Sequence, residues 1–178
     1  MKAILTLTLA TVLAAGGALP ASAQNPDQIA RVRGGAGCPG CNLFQGDFSG
    51  IEARGLNLSG SRLRQADLSL AVMNRTRFSN TDMRDVEAYG GVFSSANFSG
   101  ANMTNGSFVG AYLDGASFSG ATLTGANFSG ASLQRATGLT QGRLNQACGD
   151  EATRLPGGLS IPHCQADQLR PPTLPRFK

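Results

Sequence analysis

Residues 96 to 115 read Ala96-Asn97-Phe98-Ser99-Gly100-Ala101-Asn102-Met103-Thr104-Asn105-Gly106-Ser107-Phe108-Val109-Gly110-Ala111-Tyr112-Leu113-Asp114-Gly115. Written in fives, the stretch puts a small residue first, a large apolar residue third and turn-forming residues last. A helix of 3.6 residues per turn cannot hold such a period on one face. Working outward, the register holds through nineteen consecutive fives, whose centres run from Leu43 and Phe48 through Phe78, Phe98 and Phe118 to Leu133. Two residues before each centre stands a small or apolar one, as at Ala66, Ala71, Ala96, Ala101, Ala111 and Ala131, and the residue between them is mostly polar. Two inward positions in every five require the chain to change direction every five residues, at the Ser, Gly, Asn and Asp that accept tight-turn dihedrals.

The two inward positions compensate in volume. Gly46 precedes Phe48, Gly91 precedes Phe93 and Gly106 precedes Phe108, whereas Ile51 precedes Ala53 and Val86 precedes Ala88. Interiors pack near crystal density, so this reciprocity places both positions in one core. Leu56 with Leu58 breaks it, and predicts an irregularity between residues 51 and 58.

The pattern A-x-[LF]-x-x over residues 41 to 135 resembles the pentapeptide-repeat family. The resemblance implies an all-β fold, a right-handed quadrilateral β-helix of almost five coils. At the ~4.8 Å spacing of adjacent strands the rod would be roughly 20 to 25 Å long. Four sides make residues twenty apart vertical neighbours, so Leu58, Phe78, Phe98 and Phe118 form one ladder and Phe48, Leu68, Ala88, Phe108 and Phe128 another.

The flanks are read separately. Residues 1–23 have the form of a secretory signal: Lys2, an almost wholly apolar run from Ile4 to Leu19, and an Ala21-Ser22-Ala23 cleavage site. The run is shorter than the ~20 residues of a membrane span, so no stable membrane insertion is expected after cleavage, and the destination is periplasmic or secreted. Residues 24–40 are an N-terminal segment and cap. Residues 136–164 are a C-terminal cap in which Thr140 starts a short helix carrying Leu144, Ala147 and Cys148 on one face. The stretch from Gly138 to Cys164 also resembles the tails of secreted pentapeptide-repeat proteins. Pro171, Pro172 and Pro175 place a disordered tail over 165–178.

Four cysteines in an oxidising compartment are expected to pair. Cys38 and Cys41 precede the first coil and Cys148 and Cys164 follow the last. Because bridged Cα atoms must lie within about 7 Å, the rod forbids end-to-end pairings and leaves Cys38 with Cys41 and Cys148 with Cys164. Distance likewise rules out a four-cysteine zinc site. Cys38-Pro39-Gly40-Cys41 has the spacing of thiol-disulfide redox motifs, but those open a helix in a βαβ setting. Here a structural staple is the stronger reading.

The remaining chemistry is sparse. His163 is the only histidine, so no base-nucleophile pair or multi-histidine metal site can form. No cofactor is implied, and the chain is not expected to be an enzyme. Between Cys41 and Arg135 seven arginines balance seven acids, leaving no charged stripe to follow a nucleic-acid backbone. Some cytoplasmic members of the family mimic DNA and bind topoisomerases, and that reading fits poorly with a neutral repeat and an export signal. The expected role is a non-catalytic scaffold or protein-binding module, with an unknown protein partner or self-association. One outward feature could serve it: Leu70, Val72, Tyr89, Val92, Val109 and Tyr112 stack into a single apolar patch on the four-sided model.

Overall fold

The computed structural model describes residues 24–165. The expected signal sequence and all but the first residue of the expected tail lie outside the described residues. Parallel bridges join residues twenty apart in four ladders, and one of them runs Asn57, Arg77, Asn97, Ser117, Thr137. Each five contributes one bridging residue, because a turn every five residues leaves no length for an extended strand. The chain is therefore built from isolated bridges and corners, and the β class appears as a stack of coils instead of ribbons.

Two hydrogen bonds recur around this frame. The N–H of every centre residue from Leu43 to Phe118 donates one coil up, as from Phe98 to the Ser117 carbonyl at 2.8 Å. The N–H of the residue before it donates one coil down, as from Asn97 to the Thr76 carbonyl at 2.9 Å. Every fifth residue from Gly40 to Gly130 has a positive φ, including Gln65, Leu70, Arg75 and Asn105. Glycine is common there because it enters that region without a Cβ penalty. At other corners an Asx turn helps, as where Asp67 Oδ1 accepts the Ser69 N–H at 2.8 Å.

The core is continuous. Centre residues from Leu43 to Leu133 are buried throughout. Phe78 and Phe98 stack with centroids 5.0 Å apart, Phe98 and Phe118 stack at 5.4 Å, and Phe93 meets Phe98 edge-on at 6.0 Å. The glycine–phenylalanine reciprocity is steric: a Cβ on Gly91 would lie 2.5 Å from Phe93 Cε2, and one on Gly106 would lie 2.8 Å from Phe108 Cε2. The irregularity expected near 51–58 is confined to one bond. At each other inward position from Cys41 to Ala136 the N–H closes a turn onto the preceding centre carbonyl. At Leu56 that bond is missing among the described residues, and the Ala53 carbonyl instead accepts the Thr76 hydroxyl at 3.4 Å. The corner itself persists, with Gly55 at φ 71°, so the two leucines in adjacent inward slots cost the turn its hydrogen bond and not its shape.

Both ends differ from the boundaries drawn at 41 and 135. The ladder begins with Cys38, whose N–H donates to the Asn57 carbonyl at 2.8 Å, and keeps its twenty-residue step to Thr137. Below it lies a helix that the sequence reading did not separate from its N-terminal segment, α1 (Pro26–Arg33), with Asn25 as N-cap and Val32 buried against the first coil. Above, the ladder continues with insertions: Asn127 bridges Cys148 and Ser132 bridges Arg154. The one-turn helix α2 (Gln141–Leu144) takes up the first extra residue, and Thr140 caps it by accepting the Arg143 N–H. Leu144 points into the core, whereas Ala147 and Cys148 follow the helix and rejoin the coil.

Replacing Gly91 with alanine forces Phe93 out of its slot and is expected to cost about 1–3 kcal/mol. Chemical denaturation measures it, and the same change at exposed Gly142, where a Cβ meets nothing within 4 Å, serves as control.

Candidate functional site

Leu70, Tyr89 and Tyr112 are the exposed large hydrophobic residues among the described residues, and all three lie along one edge of the rod. The ladder places them. Val72, Val92 and Tyr112 are bridged in sequence, so their side chains stand one above another on one side. Leu70 and Tyr89 occupy the corner just before that side, where the Leu70 N–H donates to the Tyr89 carbonyl at 2.8 Å and the Gly90 N–H to the Val109 carbonyl at 2.9 Å. The six residues therefore form one apolar strip, with Val72, Val92 and Val109 half-buried between the exposed side chains.

Leu70 departs from the corner rule. Its φ is 58°, and the other non-glycine residues in that conformation are Gln, Arg, Asn, Asp and Ser. A left-handed residue with a Cβ costs roughly 1–2 kcal/mol, and polar side chains offset part of this by bonding locally. Leucine cannot, and it remains 61% exposed. Its Cδ2 lies over Gly90, where an added Cβ would come within 2.9 Å. Sequence periodicity found this strip, but the backbone strain at its centre is visible only in the dihedral.

The cysteines form two disulfides. Cys38 and Cys41 are joined across the Pro39-Gly40 corner with Cα atoms 5.5 Å apart, and Cys148 and Cys164 with Cα atoms 4.7 Å apart. Cys38 is buried beneath Leu58 in the centre column, and Ser61 donates to its carbonyl at 2.7 Å. The helix α1 precedes this pair, and Cys41 leads into a bridge and a corner. The helix N-terminus that lowers a thiol pKa in redox motifs is therefore not supplied here. The second disulfide fastens a returning segment, in which Gly149 exchanges hydrogen bonds with the Pro162 carbonyl and the Cys164 N–H at 2.8 and 2.9 Å.

Charged groups are spread along the remaining surface. Arg84 clasps Asp82 through Nε at 2.7 Å and Nη2 at 2.6 Å, and these hydrogen bonds hold the Asp82 carboxyl below its ordinary range. Arg64 pairs with Asp85 at 3.3 Å, so the groove of about 240 Å³ lined by Phe44, Arg62, Arg64, Asp82 and Arg84 has its charge partly balanced. Asp47 is held low first by the Ser49 hydroxyl, then by the Ser49 N–H and by Arg33, which pairs with it at 3.1 Å. Asp150 belongs to the upper cap. Desolvation pushes its carboxyl up, but the N–H of Gly130 at 2.8 Å, the Thr153 hydroxyl at 3.0 Å and the Ala152 N–H at 3.0 Å outweigh it and leave the value lowered. Its carboxylate thus occupies the place of the next coil's carbonyl above Gly130. No group of three or more His, Cys, Asp and Glu suited to a metal ion occurs among the described residues. No described helix is long and apolar enough to cross a membrane.

With the period, the corners and the surface in place, comparison with known proteins gives a consistent result. The family model for pentapeptide repeats matches eight copies, over residues 54–86, 92–130 and 107–137. A pentapeptide repeat protein from the Arabidopsis thaliana thylakoid lumen is 30% identical, with 55% of this chain and 68% of that one covered and a TM-score of 0.41. QnrB1, a plasmid-mediated fluoroquinolone resistance protein, is 18% identical over 71% of this chain and 79% of its own, with a TM-score of 0.44. The pentapeptide repeat protein Rfr23 from the cyanobacterium Cyanothece is 19% identical over 73% and 98%, with a TM-score of 0.34. Among curated proteins no match is found. The chain belongs to the pentapeptide-repeat family.

Two outcomes test the caps. Replacing Cys148 and Cys164 together with serine opens a sixteen-residue separation and is expected to cost about 3 kcal/mol on the chain-entropy model. Amide exchange should rise first at Gly149 and at position 164, whose N–H groups hold the returning segment. The Asp150 contribution has the sign of a depressed carboxyl: present above the unfolded value of about 3.9 and lost as the pH falls through the lower folded value. Because the residue is exposed, the effect should stay under about 1 kcal/mol, and an Asp150→Asn variant should lose that part of the acid dependence in a pH series of melts.

Proposed function

We propose that this chain is an exported, non-catalytic scaffold or protein-binding module, built as a right-handed four-sided rod of almost five coils. The observation that carries the binding role is the single apolar edge, where a strained and exposed Leu70 stands beside Tyr89 and Tyr112. Exposed patches with aromatic anchors are typical of interfaces, and tyrosine offers large contact area with few rotamers to order. Export to the periplasm or beyond is supported by the form of residues 1–23 and by the pairing of all four cysteines.

Two other roles fit less well. A DNA mimic needs negative charge running along the rod, whereas here the column Asp47, Asp67, Glu87 gives way to Ser107 and Asn127. A thiol-disulfide enzyme needs an activated cysteine, whereas Cys38 is buried in the core.

Affinity capture from periplasmic extract tests the proposal, with a Tyr89→Asp, Tyr112→Asp double variant as control. A defined partner retained by the native chain and lost by the still-folded variant is the expected result. Equal retention by both would remove the apolar edge from the interaction.

A further inference from the structure

We propose that the apolar edge is the seat of a second copy of this chain, the two rods lying parallel and side by side about a two-fold axis along their length. The inference deepens the binding role above by naming the partner, and it rests on what borders the strip. In the coil of Val72 the order is acid, apolar, arginine, from Asp67 through Leu70 and Val72 to Arg75; Glu87 extends the acid column one coil up, and Arg54 lies at the arginine corner one coil down. Asp67 and Glu87 are bridged neighbours on the side preceding the Leu70–Tyr89–Val109 corner. The side bearing Val72, Val92 and Tyr112 follows, and beyond it comes the corner that carries Arg54 and Arg75.

None of these four charges is in an ion pair among the described residues. The Asp67 carboxylate accepts the Ser69 N–H at 2.8 Å and that of Glu87 accepts the Tyr89 N–H at 3.2 Å, local bonds that leave their charge uncompensated. Arg54 and Arg75 are both exposed. The heights interleave as well. Because one coil is twenty residues, Arg75 falls between the levels of Asp67 and Glu87, and Arg54 falls between those of Asp47 and Asp67, nearer Asp47, with every offset under one coil.

This arrangement selects one symmetry. A two-fold axis along the rod exchanges left and right while preserving height, so each copy's acids meet the other's arginines and the two apolar strips face each other. A two-fold axis across the rod preserves left and right, setting acids against acids and arginines against arginines, which is repulsive. The strip has charged or polar stops at its ends, Glu52 below Val72 and Ser132 above Tyr112. Asp114, higher on the arginine edge, is engaged by the Ser132 hydroxyl at 3.0 Å. A closed pair also gives Leu70 a place: in the pair its exposed side chain is buried, which offsets the local backbone strain.

Sedimentation equilibrium of the purified protein is the test, with melting curves as the folding control. The native chain should form dimers that weaken at high salt. Tyr112→Asp should weaken association at least about tenfold without lowering the melting temperature much. Leu70→Gly should do the same while raising the melting temperature, because glycine relieves the strained corner; no merely structural role predicts that pair of signs. A variant with Asp67 and Glu87 changed to arginine, and a second with Arg54 and Arg75 changed to glutamate, should each fail to self-associate and should pair when mixed. A native chain that is monomeric throughout overturns the proposal, even if it still captures another protein and so keeps the binding role. Dimers that strengthen at high salt, that survive Tyr112→Asp, or that persist in both charge variants overturn it too.

Discussion

A corner that bends the chain every five residues with a left-handed residue is the constraint on which the rest of this structure depends. With the corners at Gly100, Asn105, Gly110 and Gly115 in place, the polypeptide returns to the same position after twenty residues, and the amide of Phe98 finds the carbonyl of Ser117. The hydrogen-bond ladder and the aromatic stacks are both consequences of that return. Neither would form if the step were nineteen or twenty-one throughout, because centre side chains would then rotate away from one another. Where the step does change, at Cys148 and Arg154, the chain needs a turn of helix, an aspartate cap and a disulfide to stay on the ladder.

The inward positions obey a volume rule that is legible in letters alone. A phenylalanine centre next to glycine, or an alanine centre next to valine, fills one layer of a narrow tube, and Gly91 with Phe93 shows the contact involved. This is why the repeat, the ladders and the odd pair Leu56–Leu58 could all be read from sequence. The consequence of that odd pair could not, since it depended on Thr76, one coil away, supplying a hydroxyl to the Ala53 carbonyl.

The ends were less legible for a related reason. Asn25-Pro26-Asp27, with Arg31 and Arg33 before Gly34, carries a full set of helix start and stop signals, yet only eight residues lie between them and the apolar face is short. What fixes α1 is the open first coil beneath which Val32 is buried, together with the Gln28 carboxamide that accepts the Asn42 N–H at 2.7 Å. At the other end, insertion of one residue and then of one more hides the period from a search by fives. The backbone still follows it, because unpaired donors such as Gly130 N–H seek the acceptor that the next coil would have provided.

Function in such a rod must be sought where these rules are broken without structural benefit. Most outward residues here satisfy the corners or keep the surface solvated, and any of several polar residues would serve. Leu70 does neither: it occupies a conformation that disfavours it, leaves most of its side chain in water, and lies beside the two tyrosines of the chain. Two further asymmetries share its location, acids on one flank and arginines on the other at interleaved heights. Separately each is an ordinary surface feature. Together they describe a surface complementary to itself under one rotation and repelled under another, and folding of the single rod requires none of them.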